Sequence, residues 1–196
     1  MKYPLWAVVG DSRDTLLDQD LAILRQGGGP DELIDRLRQQ VGRLQIAPEE
    51  LEGRNQRSAL FKTMFLAFRA SEARDWRSNL TIALDHSGIQ HYLQFHHIFP
   101  KAVLKSSYIS RDADDIANLA FIGGRTNRAI SDRTPAQYLP DIVAKTGREA
   151  FAAQCIPLAP DLLEVARYKD FLVERRRLIA GRLNEFLGTE QKPGAT

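Results

Sequence analysis

Phe95-His96-His97-Ile98-Phe99-Pro100-Lys101, followed after a polar connection by Asn118-Leu119-Ala120-Phe121-Ile122, Gly123-Gly124 and Arg125-Thr126-Asn127, is the stretch that decides the fold. Side chains alternate along a strand, so two adjacent histidines point to opposite faces and cannot do the same job. Pro100 lacks a backbone donor and ends the strand just after the pair. Asn118 to Ile122 has the apolar and aromatic content of a second short strand, and Gly123-Gly124 permits a sharp turn after it. Thr126 to Ile130 can then open a helix. Strand, long connection, strand and helix bring two imidazoles and two amides to one place. That is the material for a metal-ligand pair and a base with an orienting partner.

Outward from this stretch the chain reads as helix. Asp14 to Gln26 carries Leu16, Leu17, Leu21, Ile23 and Leu24 at helical spacing and stops at Gly27-Gly28-Gly29. Those glycines read as a flexible turn, because they lack the Gly-Lys-Ser/Thr ending of a phosphate-binding loop. Pro30-Asp31-Glu32 starts a second helix with Leu33, Ile34, Leu37 and Val41 inside, and Pro48-Glu49-Glu50 looks like another start. Asn55 is placed to cap a helix over Gln56–Ala70, whose Leu60, Phe61, Met64, Phe65 and Phe68 read as core rather than as a base-stacking surface. Asp75-Trp76 with Leu80, Ile82 and Leu84 suggests one more helix or strand.

Beyond the central stretch, Thr134-Pro135 predicts a helix running into Tyr138-Leu139, interrupted or restarted at Pro140 and followed by more helix around Ile142, Val143 and Phe151. Asp161 is expected to cap the next helix. The last element, Tyr168 to Leu187, has Phe171, Leu172, Leu178, Ile179, Leu183, Phe186 and Leu187 inside. Arg175-Arg176-Arg177 and Arg182 are expected on its outer face, Gly188 ends it, and Thr189–Thr196 reads as disordered. The apolar run Tyr3–Val9 reads as a strand or linker packing on later helices.

The composition, 43% hydrophobic and 27% charged over 196 residues, is that of a globular protein. A net charge of +2 and a pI near 8.8 do not by themselves mark a nucleic-acid partner, so any basic patch must be local. Lys101, Lys105, Arg125, Arg128 and Arg133 surround the central stretch, and their natural task beside a phosphate is to bind backbone oxygens. The single cysteine, Cys155, excludes an internal disulfide and fits a reducing compartment. No apolar run approaches the ~20 residues of a membrane span. Leu5–Val9 is too short for a signal peptide, so a cytoplasmic location and no membrane partner are expected. All four histidines, His86, His91, His96 and His97, fall within twelve residues, yet no cysteine lies near and the spacings match no common structural zinc pattern. His86 and His91 read as surface or hydrogen-bonded side chains. Asp112, Asp114 and Asp115 read as a solvated loop face and helix N-terminal charge, with an extra metal ligand as the alternative.

His96-His97-Ile98-Phe99-Pro100-Lys101, Asn118-Leu119 and Asn127-Arg128-Ala129-Ile130-Ser131-Asp132 resemble the HNH, or ββα-metal, endonuclease motif. More narrowly they resemble the nuclease half of GmrSD-type and SspE-type restriction proteins, as does Thr134-Pro135-Ala136-Gln137-Tyr138-Leu139. The likeness spans about residues 93 to 140, with a weaker echo at Asp75-Trp76. It implies His97 as general base, His96 as metal ligand where many HNH enzymes have Asp, Asn118 as the residue that orients the base and holds the loop, and Asn127 completing the metal site where His is common. The two departures leave the metal with neutral ligands. His has the side-chain pKa, about 6.5, closest to the task of deprotonating water near neutral pH. A divalent cation beside the phosphate oxygens supplies the remaining charge. Magnesium or manganese suits the site, and an imidazole ligand also admits nickel, cobalt or zinc.

The expectation is therefore a mainly α (α+β) chain in which one helical domain encloses a small ββα-metal (HNH) hairpin-helix motif. Residues 11–85 form its N-terminal helical part, 91–140 the motif, 141–188 the C-terminal helices and 189–196 a tail. The expected activity is metal-dependent DNA cleavage in bacterial restriction of foreign or modified DNA, with DNA and an upstream or separate nucleotide-handling restriction domain as partners. A catalytically silent DNA-binding module of the same fold is the alternative, motivated by the missing acidic ligand. A helical interaction domain with a structural histidine cluster is a third reading.

Overall fold

The computed structural model describes residues 13–41, 45–84 and 92–188. Tyr3–Val9, His86, His91 and the tail Thr189–Thr196 lie outside them. The chain divides into two units between Ile46 and Ala47, and the N-terminal helical part expected over 11–85 spans that division. In the first unit, α1 (Arg13–Arg25) and α2 (Pro30–Val41) form a helical hairpin. α1 ends with Gly27 at φ +86° while the N–H groups of Gly27 and Gly28 donate to Leu24 O at 3.1 Å and Ile23 O at 3.0 Å. This double bond pattern is a Schellman closure. A Cβ on Gly28 would meet the Ile23 side chain at 2.5 Å. The glycines expected as a flexible turn thus form a fixed helix end. Arg36 of α2 then ties back to α1, donating to Asp20 Oδ1 at 2.8 Å and Gln19 Oε1 at 2.9 Å.

The second unit runs from Ala47 to Phe186. Its first long helix, α3 (Ala59–Ala70), is capped by Ser58, whose Oγ accepts from Phe61 N–H at 3.2 Å. The helix expected from Gln56 starts three residues later because Asn55 turns its side chain onto Arg57 N–H (2.9 Å) and holds those residues in a turn. Among the described residues that follow Ala70, up to Leu84, the expected helix or strand reduces to a single bridge between Arg74 and Thr81. β1 (Leu93–His97) pairs antiparallel with β2 (Leu119–Gly123), setting Phe95 opposite Phe121, His96 opposite Ala120 and His97 opposite Leu119. The connection holds two short helices, α4 (Lys101–Leu104) and α5 (Ser110–Ala113), and a 3-10 turn over Ile116–Asn118, so Asn118, expected to open the second strand, lies just before it.

α6 (Gly124–Ile130) follows β2 without an intervening turn, since Gly123 is extended at φ −75° and ψ 154° and serves as its N-cap. The glycine pair expected to form a sharp turn therefore joins strand to helix directly. α7 (Pro135–Thr146) runs through Pro140, contrary to the expected break. Pro140 is exposed and lies in the second turn, so the helix forgoes one backbone bond there without burying the loss. After α8 (Glu149–Ala152) the chain makes short 3-10 turns at Pro160–Leu163 and Val165–Arg167, with Asp161 inside the first rather than capping it.

α9 (Tyr168–Phe186) is the spine of this unit and packs on α3. Phe121 of β2 meets Phe61, Phe65 and Phe68 of α3 at centroid distances of 5.1, 5.3 and 6.0 Å. Burial of each such ring contributes about 1.5–3 kcal/mol. One expectation about α9 fails: Arg175 and Arg176 are buried, not outward. Arg175 donates to the carbonyls of Ala117 (2.8 Å), Cys155 (3.2 Å) and Gln154 (3.2 Å), and Arg176 pairs with Asp115 at 2.5 Å. Loop carbonyls and an aspartate at the helix face supplied partners that a periodicity argument does not contain. Arg177 stays outside, paired with Glu174 at 2.8 Å.

The described residues are thus mainly helical with one small two-stranded antiparallel sheet, the coarse class expected. No helix among them is long and apolar enough to cross a membrane.

Candidate functional site

The alternation of β1 places Gln94 and His96 on one face and Phe95 and His97 on the other. His96, only 3% exposed, faces α6 and α7. Its Nδ1 lies 2.8 Å from Asn127 Oδ1, and its Nε2 lies 3.4 Å from the Tyr138 hydroxyl. Trp76 stands edge-on to the imidazole at 5.8 Å. Burial drives the His96 pKa down to about 4, against the opposing hydrogen bond to Asn127, so the ring is neutral at pH 7.

Asn127 is fixed from its other end, because Nδ2 donates to Gln94 Oε1 at 2.6 Å. The Tyr138 hydroxyl donates to Ile98 O at 3.0 Å, which leaves its oxygen free to accept a proton donor from His96 Nε2. Without a cation the 2.8 Å contact favours the Nδ1–H form, because the Nε2–H form would set two lone pairs against each other there. With the proton on Nδ1 the ring donates to Asn127. With the proton on Nε2 it donates to Tyr138, and Nδ1 presents a lone pair beside Asn127 Oδ1.

In that second form the two donor atoms fit a divalent cation. Cis ligands of an octahedral ion bound at about 2.1 Å stand about 3 Å apart, close to the observed 2.8 Å. Both are neutral. Among the described residues no three His, Cys, Asp or Glu side chains gather as a further ligand group.

His97 on the opposite face is partly exposed. Its Nε2 lies 3.2 Å from Asp114 Oδ1, and Lys101 Nζ reaches the same oxygen at 2.6 Å. Burial lowers the His97 pKa and the Lys101 charge adds to this, outweighing the Asp114 hydrogen bond, so His97 too is neutral near pH 7. Burial alone would raise the Asp114 carboxyl, yet its hydrogen bonds to Lys101 and His97 hold it below the usual carboxylate range. Asp114 is thus neither a plain solvated acid nor beside His96. Among its neighbours in the acidic run, Asp112 pairs with Lys169 at 2.6 Å and Asp115 with Arg176, so Asp114 alone of the three meets a histidine.

Asn118, expected to orient the base and hold the loop, holds the loop. Fully buried, it accepts from Phe99 N–H at 2.9 Å and donates to Phe99 O and Ala113 O, both at 3.0 Å. One amide clamps the end of β1 to the residue before Asp114. It makes no bond to His97 itself and acts through backbone.

The expected phosphate contacts divide. Arg125 and Arg128 on α6 are exposed and have no hydrogen-bond or ion-pair partner among the described residues. Arg133 is engaged at the end of α6, donating to Ile130 O at 3.2 Å and Ala129 O at 2.7 Å. Lys101 is paired with Asp114 as above.

Three contributors were not assigned from sequence. Gln94 lies two residues before His96 and so shares its face, a signal that strand alternation alone contains. Tyr138 sits where the resemblance already ran, without a role. Asp75, buried, is the anchor of the β2–α6 corner: Oδ1 accepts from Ser78 N–H and Thr126 Oγ1, both at 2.7 Å, and Oδ2 accepts from Gly123 N–H at 2.7 Å. Asp75-Trp76-Arg77-Ser78 has the Asp-x-x-Ser spacing of a side-chain-closed turn, which hints at the local bonds but not at Thr126.

The chain matches no family model, no curated protein and no solved structure.

Proposed function

We propose that the chain is a metal-dependent DNA endonuclease of the ββα-metal kind, hydrolysing phosphodiester bonds with His97 as general base. The observation that carries this reading is the pairing of His96 Nδ1 with Asn127 Oδ1 at 2.8 Å across the strand–helix corner, one strand position from a second neutral histidine. Single-metal phosphodiester hydrolysis requires a base and a cation at one phosphate; His97 is the last residue of β1, so its imidazole and the ligand pair on the opposite face would meet that phosphate past the strand end.

In the proposed reaction His97 takes a proton from water, the water oxygen attacks phosphorus, and the bond from phosphorus to one ester oxygen breaks. That leaving oxygen acquires a proton from solvent, and the imidazolium returns its own to water. His96 and Asn127 would hold the cation, magnesium or manganese in the first instance, which supplies positive charge to the phosphate oxygens. Arg125 and Arg128 are free to bind neighbouring backbone phosphates, while Lys101 stays on Asp114. Contacts of this kind hold DNA without reading its sequence, so substrate choice rests with a nucleotide-handling restriction domain, and the setting is bacterial defence in the cytoplasm.

The all-neutral ligand pair favours one second reading, a DNA-binding module that does not turn over. Conversion of supercoiled plasmid under magnesium, manganese, nickel or EDTA separates the two. Metal-dependent nicking supports the nuclease, and binding without conversion under every metal supports the module.

A further inference from the structure

We infer that Asp114 is the positioning residue of His97, fixing the imidazole with its proton on Nε2 so that Nδ1 is the nitrogen that receives the proton from water. The catalytic consequence rests on the nuclease reading; the orientation of the ring does not.

An ionised carboxylate only accepts hydrogen bonds, so the imidazole nitrogen that faces it must carry hydrogen. His97 Nε2 faces Asp114 Oδ1 at 3.2 Å. A neutral imidazole has one N–H, which leaves Nδ1 with the lone pair. The carboxylate itself is kept in place from two directions. Lys101 Nζ holds the same oxygen at 2.6 Å. Behind it, the Asp114 N–H donates to Ser110 O at 3.0 Å, and the preceding Ala113 carbonyl is tied to Asn118.

Asn118 also binds both backbone groups of Phe99, two residues past His97. One buried amide therefore sets the spacing between the imidazole and the carboxylate that aims it. This gives the expected orienting role of Asn118 a physical route, through Asp114. It also weighs against Asp114 as a metal ligand: its oxygen serves Lys101 and His97, on the strand face opposite His96.

The test is the nitrogen spectrum of the full chain labelled with 15N-histidine. It is recorded about two pH units above the ordinary imidazole value of about 6.5, with His97 assigned from its loss in His97→Gln. The wild type is expected to show His97 as the Nε2–H tautomer. Asp114→Ala is expected to show a tautomer mixture at His97 while the other histidine signals stay in place, and Asp112→Ala to leave His97 unchanged. In plasmid cleavage, Asp114→Ala is expected to lower kcat about tenfold or more, with KM unchanged.

An Nδ1–H tautomer in the wild type, or an unaltered one in Asp114→Ala, overturns the inference. So does a loss in Asp114→Ala that falls on KM alone. A wild type that cleaves under no metal overturns the nuclease reading, while the tautomer result still decides what Asp114 does.

Discussion

Replacing Asp75 by Asn should destabilise the second unit by about 4.5 kcal/mol or more, a figure built from its hydrogen bonds. Oδ1 accepts from Arg77 N–H (3.1 Å), Ser78 N–H (2.7 Å), Ser78 Oγ (2.8 Å) and Thr126 Oγ1 (2.7 Å), and Oδ2 accepts from Gly123 N–H (2.7 Å). Asn has the same shape but turns one oxygen into a donor. Its least costly orientation sets NH2 against the Gly123 N–H, which forfeits one bond to a charged group, about 1.5–3 kcal/mol. The four remaining bonds pass from a charged to a neutral acceptor and fall to roughly half their strength. A urea melt reads the sum directly. With a slope of about 1–3 kcal/mol per M, the midpoint should fall on the order of 2 M.

The pH dependence supplies a second check. Burial alone would raise the Asp75 carboxyl, but the bonds from Ser78, Gly123 and Thr126 outweigh it and hold it below its ordinary value. A carboxyl depressed in the folded state stabilises above the unfolded pKa, about 3.9, and loses that contribution as pH falls through the folded value. The difference between wild type and Asp75→Asn should therefore narrow only at strongly acid pH. A loss below about 1 kcal/mol at neutral pH would show that Asp75 does not hold the β2–α6 corner, and the account of how Asn127 is placed would fall with it.

Asn118→Ala leaves the Phe99 N–H and the carbonyls of Phe99 and Ala113 buried without the amide, at about 1–3 kcal/mol each. Unfolding should show a loss of about 3 kcal/mol or more, and hydrogen exchange at the Phe99 amide should accelerate. His96 gives a different pH signature. Its folded pKa of about 4 lies below the unfolded value of about 6.5. Between those values only the unfolded chain binds the proton, so stability without metal should be full above about pH 6.5 and decline by up to about 1.4 kcal/mol per unit as pH falls toward 4. His96→Gln should flatten that slope, and an equal slope in both proteins would contradict the burial of a neutral ring.

Much of the fold was legible because it follows local rules. The helical periods of α1, α2, α3 and α9, the strand content around Phe95 and Phe121, and the opposite facing of His96 and His97 all come from spacing. What escaped was set by partners distant in sequence. Arg175 and Arg176 look like solvated charges until the carbonyls of Ala117 and Gln154 and the Asp115 carboxylate arrive beside them. Asp114 looks like one of three loop acids until the connection folds it back onto β1. Pro140 looks like a break because propensity weighs the missing donor and not the exposed face where its loss is harmless. The site was legible to the extent that it lies in β1, β2 and α6; Asp75 and Tyr138, from elements on either side, needed the tertiary structure.

The central claim is that His97 is the base of a phosphodiester hydrolase, and one comparison tests it most directly: supercoiled plasmid incubated with the wild type or His97→Ala, with magnesium or manganese and with EDTA, beside a measurement of DNA binding by both proteins. The account predicts nicking by the wild type that needs the metal, a loss of about 100-fold or more in His97→Ala, and DNA affinity retained by the variant. Nicking by His97→Ala at the wild-type rate would contradict it.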